Sequence, residues 1–418
     1  MTWGRIALCL ALALSLGGGA ASAQSRSRSL GVPWDGSLVG GVQLAAQGPH
    51  HFTWDSVLKR SPNRGWRRYG NARLVQTIGR VVAAYAAANP DAARVGIGDL
   101  SRRNGGSFGP RFGGIGHASH QNGLDVDVYY PRRDGRERPP GSPRQIDRPL
   151  AQDLVDRFVA AGAAKVFIGP HTGLRGPPAV VEVLPAHHDN HMHVRLPGDG
   201  VRSAPLGVST RRLPVRAFTL GSGRPAILVV GCVHGNECAG SVVATRLLHE
   251  PAPRRGSITI VQDLNPDGHA AGRRANARGV DLNRNFPGTW RPLATAGPAP
   301  GSEVETRLAM GLIRRLRPDV TIWFHQPQAL VRAWGRSVGI GRRYARLAGM
   351  RFARLPWPPG SATAWQHRTL PGSRAFVVEL PAGELGIRES GRYAQAILRL
   401  AALSAVSGAG AGTAPVPR

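Results

Sequence analysis

The chain is 418 residues long and carries 54 lysines and arginines against 25 aspartates and glutamates, a formal net charge of +29. This length exceeds what one ordinary hydrophobic core organises and predicts two domains. A basic surface favours polyanions, but no nucleic-acid-reading motif is present, so we expect no nucleic-acid partner. Three cysteines in a chain of this length exclude a disulfide-dense scaffold.

Residues 1–23 have the pattern of a secretory signal peptide. Arg5 precedes an apolar run over residues 6–16, and Ala-Ser-Ala follows at 21–23. The apolar run is too short for a permanent membrane anchor. We therefore expect a periplasmic or secreted protein without a stable membrane anchor, for which cell-wall polymers and lipid head groups are the available polyanions.

Residues 24–198 are predicted to form an α+β domain with a small sheet. The glycine- and serine-rich residues 25–48 indicate an arm with little secondary structure. Apolar residues recur with helical spacing over residues 73–88, ahead of an Asn-Pro stop signal. The other predicted elements are a helix over 153–164 and strands over 95–100, 165–168 and 180–184.

A metal centre is predicted where a loop enters a strand in residues 116–130. Strand side chains alternate between faces, so the apolar residues point to the core while Asp127 points the other way. His120 on the preceding loop comes beside Asp127. His191 and His193 share one face of a second predicted strand. A catalytic zinc takes three protein ligands and keeps one position open, so His120, Asp127 and His193 are the predicted ligands, with His191 beside them.

These residues resemble the penicillin-insensitive murein endopeptidase family, within the lysostaphin/D-Ala-D-Ala metallopeptidase group. The shared pattern is Gly-His-x-Ser-His-x-x-Gly-Leu-Asp-x-Asp at 116–127 and His-x-x-His-x-His at 188–193. The resemblance covers about 30–198 and implies a lysostaphin-like fold that cleaves peptidoglycan cross-links between D-alanine and diaminopimelate. The implied roles are zinc binding for His120, Asp127 and His193, a further metal-site position for His117, catalysis for His191 and substrate binding for His188.

Residues 199–212 indicate a linker, and residues 213–404 indicate a second domain of α/β class. Apolar strands alternate there with helices, which predicts a wound sheet with its ligand site at the strand ends. The predicted strands cover 226–233, 257–264, 320–324 and 376–378, and the predicted helices cover 239–249, 302–316 and 340–348. Residues 405–418 form a predicted disordered tail rich in Gly, Ala and Pro.

Polar residues with metal-binding chemistry stand at the ends of these predicted strands. His234 and Glu237 follow one strand, His325 follows another, and Glu379 ends the last. The first three give a nitrogen and oxygen ligand set with a position left open for water. Glu379 is placed to act as a general base on that water.

Together with 273–276 and 279–287, this pattern resembles the zinc carboxypeptidase family over about 213–403. The resemblance implies a mixed wound sheet with zinc bound by His234, Glu237 and His325. It also implies oxyanion stabilisation by Arg274, a base role for Glu379, and binding of a substrate carboxylate by Asn283 and Arg284. The segment 358–374 lacks the substrate-covering tyrosine of digestive carboxypeptidases, which favours the bacterial murein-peptide amidase branch, whose members cut between γ-D-glutamate and diaminopimelate.

The sequence thus predicts one zinc in each domain. Together the two domains and the signal-peptide pattern predict an exported peptidoglycan hydrolase. Its N-terminal domain would open cross-links, and its C-terminal domain would act as an amidase or carboxypeptidase on murein peptides. The alternative is a carboxypeptidase or deacylase on other exported peptides, with a murein-binding N-terminal domain that does not cut.

Cys232 and Cys238 flank the second centre and are close enough in sequence to be bridged, but we expect two buried free thiols.

Overall fold

The computed structural model describes residues 27–406. The predicted signal peptide at residues 1–23 and residues 407–418 of the predicted tail lie outside this range. The final helix reaches Val406, so residues 405 and 406, which the sequence analysis assigned to a disordered tail, are helical. No helix in the described range is both long enough and apolar enough to cross a membrane.

The N-terminal part, residues 27–201, is built around a mixed sheet. Its strands are β1 (Arg28–Val32), β2 (Asp35–Val39), β3 (Val42–Gln43), β4 (His51–Thr53), β5 (Tyr69–Gly70), β6 (Val95–Ile97), β7 (Asp125–Tyr129), β8 (Lys165–Ile168), β9 (Val181–Val183) and β10 (His191–Arg195). Six of them form the sheet in the order β4-β6-β7-β10-β8-β9. The pairs β4–β6 and β8–β9 are parallel. The pairs β6–β7, β7–β10 and β10–β8 are antiparallel.

Two helices of this part, α1 (Ala72–Ala88) and α2 (Arg148–Ala160), begin at side-chain caps. The side chains of Asn71 and Asp147 accept hydrogen bonds from backbone amides of the first turns, which would otherwise lack partners. Both helices contribute to one apolar cluster with Val126, Met192 and Val194. This part is therefore α+β in composition, while its assignment to the lysostaphin-like fold remains a prediction.

The prediction of an arm with little secondary structure at residues 25–48 is wrong. β1 and β2 pair as an antiparallel hairpin, and β3 pairs with β5. Gly31 and Gly40 have positive φ angles, a conformation that glycine adopts without a Cβ penalty. Gly31 lies within β1 opposite Gly36, and Gly40 lies between β2 and β3, so glycines that suggested an irregular arm belong to a segment with paired strands.

The C-terminal part is an eight-stranded mixed sheet. Its strands are β11 (Arg202–Val208), β12 (Pro214–Ser222), β13 (Ala226–Val230), β14 (Gly256–Val261), β15 (Val320–His325), β16 (Gln328–Ala333), β17 (Arg351–Arg354) and β18 (Arg374–Pro381). They lie in the order β11-β12-β14-β13-β15-β18-β16-β17. The central pairs β14–β13, β13–β15 and β15–β18 are parallel. The parallel strands therefore end at one common edge.

Helices cover both faces of this sheet, because successive strand residues point to opposite sides. The helices are α3 (Ala239–Leu247), α4 (Pro266–Ala270), α5 (Val304–Leu316), α6 (Val338–Ala348), α7 (Ala362–Thr369) and α8 (Ile387–Val406). Ile227 and Val229 belong to a cluster with α3, α6 and α8. Leu228 and Val230 belong to another with α5 and α7. The predicted α/β class with a mixed wound sheet is confirmed for this part.

Residues 199–212 differ from the predicted linker, because β11 lies within them and pairs antiparallel with β12. β11 is an edge strand whose side chains are mostly exposed. Its sequence therefore lacks the apolar alternation by which a strand is recognised. The domain boundaries at residues 198 and 213 remain predictions.

Candidate metal centres

The first centre lies on two neighbouring strands of the N-terminal sheet. β7 and β10 are antiparallel, and their register places His193 opposite Asp127 and His191 opposite Tyr129. Met192 and Val194, which alternate with the histidines, are fully buried in the core. The alternation read from the sequence thus puts the two histidines on the face that carries Asp127.

Three imidazoles converge on one oxygen of Asp127. Its Oδ1 lies 3.3 Å from His120 Nε2, 3.6 Å from His193 Nδ1 and 3.8 Å from His191 Nε2. His120 has a positive φ of 66°, and its Nδ1 faces the Leu100 carbonyl oxygen. The opposite ring nitrogen is thereby directed at Asp127.

The chemistry of this group fits a divalent metal. His120 Nε2 and Asp127 Oδ1 are buried and have no hydrogen-bond partner, and the same is true of His193 Nε2, which lies 3.4 Å from Asp125 Oδ1. Buried polar atoms are normally paired, and a bound cation would supply a partner for these imidazole and carboxylate atoms. Imidazole nitrogen and carboxylate oxygen are ligands that zinc accepts.

Asp125 is a carboxylate in this group that the sequence analysis did not assign. The ligand atoms of His120, Asp125 and His193 lie within 4.8 Å of one another, as do those of His117, His120 and Asp127. Asp125 already accepts two hydrogen bonds from Arg195, at 2.8 and 3.2 Å, and one from His120 N at 2.9 Å. Asp127 Oδ1 has no hydrogen-bond partner, which makes Asp127 the carboxylate more open to a metal.

Asp99 is a second residue that the sequence analysis missed. Its Oδ2 lies 2.8 Å from His117 Nε2, and Arg67 donates hydrogen bonds to both of its oxygens. Burial opposes the charge of Asp99, but the hydrogen bonds from Arg67 and His117 outweigh it and lower the pKa to about 2. The signal in the sequence was an aspartate at the end of a short apolar strand. Asp99 orients His117, whose Nδ1 lies 3.9 Å from Asp127 Oδ2.

Protonation in the first centre follows burial and the Asp127 charge. Burial lowers the pKa of His193 and that of His188 to about 4, which keeps both imidazoles neutral. For His120, burial also disfavours the charged form, but the Asp127 carboxylate outweighs it and raises the pKa to about 9. The His188 ring lies 5.2 Å from that of His191, so it stands beside the centre.

The second centre lies at the common edge where the parallel strands of the C-terminal sheet end. His234 and Glu237 lie on the loop after β13, and His325 is the last residue of β15. Glu237 Oε2 lies 3.0 Å from His234 Nδ1 and 3.2 Å from His325 Nδ1, and the two Nδ1 atoms are 3.0 Å apart. All three side chains are buried. Three lone-pair atoms this close fit a shared cation.

Asp281 supports this centre and was not assigned from the sequence. Its Oδ1 lies 2.9 Å from His234 Nε2, a contact that fixes the imidazole so that Nδ1 faces the other ligands. Arg274 donates to Glu237 Oε1 at 2.5 Å and to Asp281 Oδ2 at 3.0 Å. Asp281 stands inside the segment 279–287 that carried the family resemblance, which was the available signal.

Glu379 lies beside His325, because β18 runs parallel to β15 and pairs these two residues. Its Oε2 is buried without a hydrogen-bond partner. Burial, followed by the charge of Glu237, raises the pKa of Glu379 to about 7. Asn283 Nδ2 lies 3.5 Å from His325 Nε2, and Arg284 donates to the Asn283 carbonyl at 2.9 Å. The structure thus brings together all the residues predicted for the second centre, while their roles remain predictions.

The expectation of two free thiols is wrong, because Cys232 and Cys238 form a disulfide. Their Cα atoms lie 4.8 Å apart, within the range that a disulfide spans. The loop turns back on itself to bring His234 and Glu237 together, and the same turn brings the cysteines together. The disulfide therefore closes the loop that carries two of the three ligands.

Comparison with protein families matches residues 29–167 to the penicillin-insensitive murein endopeptidase family and residues 199–338 to the zinc carboxypeptidase family. Both predicted family resemblances are confirmed. The murein endopeptidase match contains His120 and Asp127 but ends before His193. The zinc carboxypeptidase match contains His234, Glu237 and His325 but ends before Glu379.

Curated relatives of both kinds are found. Murein peptide amidase A from Escherichia coli K12 is 35% identical over 143 residues, which are 30% of this chain and 57% of the relative. A penicillin-insensitive murein endopeptidase from Escherichia coli O157:H7 is 36% identical over 129 residues, 31% of this chain and 40% of the relative. The chain thus spans little more than half of the amidase and less than half of the endopeptidase.

A solved structure, the murein-tripeptide amidase from Escherichia coli O157, is 28% identical to this chain, with a TM-score of 0.41. The match covers 48% of this chain and 90% of the amidase chain. The zinc carboxypeptidase region and the amidase relatives support a hydrolase of the metallopeptidase class, and that family implies zinc at the second centre.

Proposed function

We propose that the protein is an exported two-centre zinc peptidase that hydrolyses the peptides of peptidoglycan. In this proposal the murein endopeptidase-like region opens D-alanine–diaminopimelate cross-links. The zinc carboxypeptidase-like region acts as an amidase or carboxypeptidase on the same peptides. The observation that carries the proposal is that each of the two family regions is associated with a buried group of three convergent ligand atoms.

In the first centre, His120, Asp127 and His193 would hold the zinc, with His117 as a neighbouring metal-site residue. Bound zinc supplies a Lewis acid for the scissile carbonyl and lowers the pKa of water to about 7. His191, whose Nε2 faces Asp127, is placed to orient the reacting groups and exchange a proton with them. His188 stands next to His191, where it would contact the substrate.

In the second centre, His234, Glu237 and His325 would hold the zinc that the family implies. Glu379 is the proposed general base, and a carboxyl group with a pKa of about 7 is matched to taking and returning a proton near neutral pH. The partly exposed guanidinium of Arg274 would stabilise the oxyanion, a role worth about 3 kcal/mol in comparable sites. Asn283 and Arg284 would bind a substrate carboxylate.

Export is part of the proposal and rests on two observations. The signal-peptide pattern at residues 1–23 would direct the chain to the periplasm or outside the cell. Both named groups of relatives act on murein according to their names, which fits that location. The net charge of +29 would hold the protein near the anionic polymers of the wall.

The deciding experiment is mass spectrometry of purified cross-linked muropeptides after incubation with the zinc-loaded protein, with and without a chelator. Conversion of dimers to monomers that stops with the chelator and with Asp127→Ala supports the first centre. Loss of diaminopimelate-containing fragments that stops with Glu379→Gln supports the second. Unchanged dimers would contradict endopeptidase activity and favour a murein-binding role for the N-terminal part.

A further inference from the structure

A cleft of about 920 Å³ separates the N-terminal and C-terminal parts. We call it the central cleft. Its walls come from both sides, so it belongs to neither family region alone. The residues that define it here are Phe167, Val183 and Arg195 from the N-terminal part and Asn236, Val242 and Gln326 from the C-terminal part.

The central cleft lies next to the loops that carry the ligands of the second centre. Asn236 lies between the ligands His234 and Glu237, and Gln326 directly follows the ligand His325. The Gln326 side chain is fixed, because its Nε2 donates hydrogen bonds to the carbonyl groups of Pro381 and Gly383 at 2.7 and 2.8 Å. The cleft therefore has a fixed wall beside the residue that follows His325.

The central cleft also reaches the first centre. A neighbouring cavity of about 630 Å³ contains Asp127, His191 and His193 among its lining residues. The two cavities share the residues Trp34, Phe167, Arg195 and Ile387. The Phe167 ring lies 5.3 Å from the His193 ring. One surface thus runs from the first centre to the loops that carry the second-centre ligands.

The narrow part of this surface is a stack that joins the two parts of the chain. Trp34 lies between Arg195 of the N-terminal part and Arg246 of the C-terminal part, each guanidinium 5.5 Å from its ring. His249 packs edge-on against the same ring at 6.4 Å. Arg195 donates two hydrogen bonds to Asp125, and Arg246 donates one to Glu250. Each guanidinium keeps its remaining N–H groups and its positive charge for a ligand carboxylate.

His249 is an independent indication of a ligand. It lines the central cleft, is only 6% exposed, and neither ring nitrogen has a hydrogen-bond partner. Buried polar groups are normally paired, and a ligand bound in the cleft would supply the partner that His249 lacks. A peptide amide supplies both donors and acceptors.

The rim of the cleft is aliphatic. Val183, Val242 and Ile387 are 59%, 42% and 68% exposed, although large apolar side chains are usually buried. Small apolar side chains such as those of alanine pack against such a rim. Amide groups, free carboxylates and small apolar side chains are combined in a short acidic peptide.

We propose that the central cleft binds an acidic murein peptide between the two centres, so that a peptide released by hydrolysis at one centre is held for hydrolysis at the other. The proposal rests on the proposed function for its substrate. Each hydrolysis adds one water and leaves one carboxylate and one amine, so the intermediate gains a charged end. That new end would lie near the arginine and tryptophan stack.

Binding is tested without catalysis in a protein that carries both Asp127→Ala and Glu379→Gln. Calorimetric titration with purified stem peptide should give affinity that falls at least tenfold when Val242→Trp narrows the cleft. Val183→Trp, on the opposite wall, should have the same effect. Val208→Trp is the matched control, since Val208 is 41% exposed on β11 and does not line the cleft. Absence of binding, or equal affinity in all variants, would overturn the proposal.

Transfer is tested by comparing the wild-type chain with an equimolar mixture of Asp127→Ala and Glu379→Gln chains. The mixture contains both centres, but on different molecules. On cross-linked dimers the wild type should form the doubly cleaved product without a lag, while the mixture accumulates the singly cleaved intermediate. Identical time courses would overturn transfer. Failure of the proposed function is seen separately, as inactivity of both centres in a protein whose peptide binding still depends on Val242.

Discussion

His193 lies opposite Asp127 on antiparallel strands, with its Nδ1 3.6 Å from the aspartate Oδ1. This register brings a predicted metal ligand from residues 188–193 next to one from residues 116–127. A slip of one residue in either strand would move the metal-binding side chain of that strand to the core face. The integrity of the first centre therefore depends on the pairing of β7 with β10.

Removal of Asp127 should empty the first centre and spare the second. Asp127→Ala deletes the carboxylate on which three imidazoles converge, so zinc affinity there should fall by more than the about 10–100-fold that loss of a residue supporting a ligand costs. Metal analysis after dialysis should show one zinc per chain instead of two. Asp134→Ala is the control, because that carboxylate pairs with Arg132 at the surface. Two zincs retained in Asp127→Ala would contradict this ligand assignment.

Removal of the general base should separate turnover from metal binding at the second centre. Glu379→Gln keeps the size of the side chain but cannot accept a proton, so kcat should fall by about 10²–10⁴-fold. Zinc content should stay unchanged, because Glu379 is not one of the proposed ligands. The same substitution at the exposed Glu389 on α8 is the control. Turnover near that of the wild type in Glu379→Gln would rule out the assigned role.

Asp281 should act on zinc through His234. Asp281→Asn keeps a hydrogen-bonding group but removes the charge that orients the imidazole, and such losses weaken metal binding or activity by about 10–100-fold. A competitive chelator titration measures this effect. Asp263→Asn serves as control, because Asp263 makes a comparable contact of 2.7 Å with His269 outside the ligand set. Equal zinc affinity in both variants would show that Asp281 has no such role.

What the sequence predicted correctly was local. Residue alternation placed Asp127 and His193 on faces that the strand pairing then brought together. Strand ends located His234, His325 and Glu379 at one edge of the C-terminal sheet. In both cases a periodicity of two residues, or the end of an apolar run, carried the information.

What the sequence did not reveal depended on contacts between distant segments. Asp99 acts on His117 from 18 residues away, and Asp281 acts on His234 from 47 residues away. The residues around either aspartate form no pattern from which its histidine partner could be predicted. β11 was missed for a different reason, since an exposed edge strand needs no apolar alternation.

The disulfide should stabilise both the fold and the second centre. Closing a loop of this length is worth about 2 kcal/mol in the chain-entropy account. The variant with both Cys232→Ser and Cys238→Ser should lose about that much free energy of unfolding, measured with urea. Zinc at the second centre should be released at lower chelator concentration, while zinc at the first centre should be unaffected. Equal stability and equal zinc release in the variant would show that the bridge does not brace this loop.

His249 should make folding stability depend on pH. Burial, followed by the charge of Arg195, lowers its pKa from 6.5 to about 3 in the folded protein, and Arg246, Arg73 and Asp125 also act on the ring. As pH falls, His249 therefore binds a proton in the unfolded chain before it does so in the folded protein. The contribution of His249 to the free energy of unfolding is fully present above pH 6.5. It is lost as pH falls toward 3, by about 1.4 kcal/mol per unit.

Replacement of His249 isolates this contribution from that of the other histidines. Between pH 7 and pH 5 the wild type should lose about 2 kcal/mol more free energy of unfolding than His249→Phe. Phenylalanine fills the space beside Trp34 but does not titrate. Urea unfolding of the metal-free proteins at the two pH values measures the difference, and the remaining histidines cancel because both chains contain them. Parallel losses in the two chains would show that His249 is protonated equally when folded and unfolded.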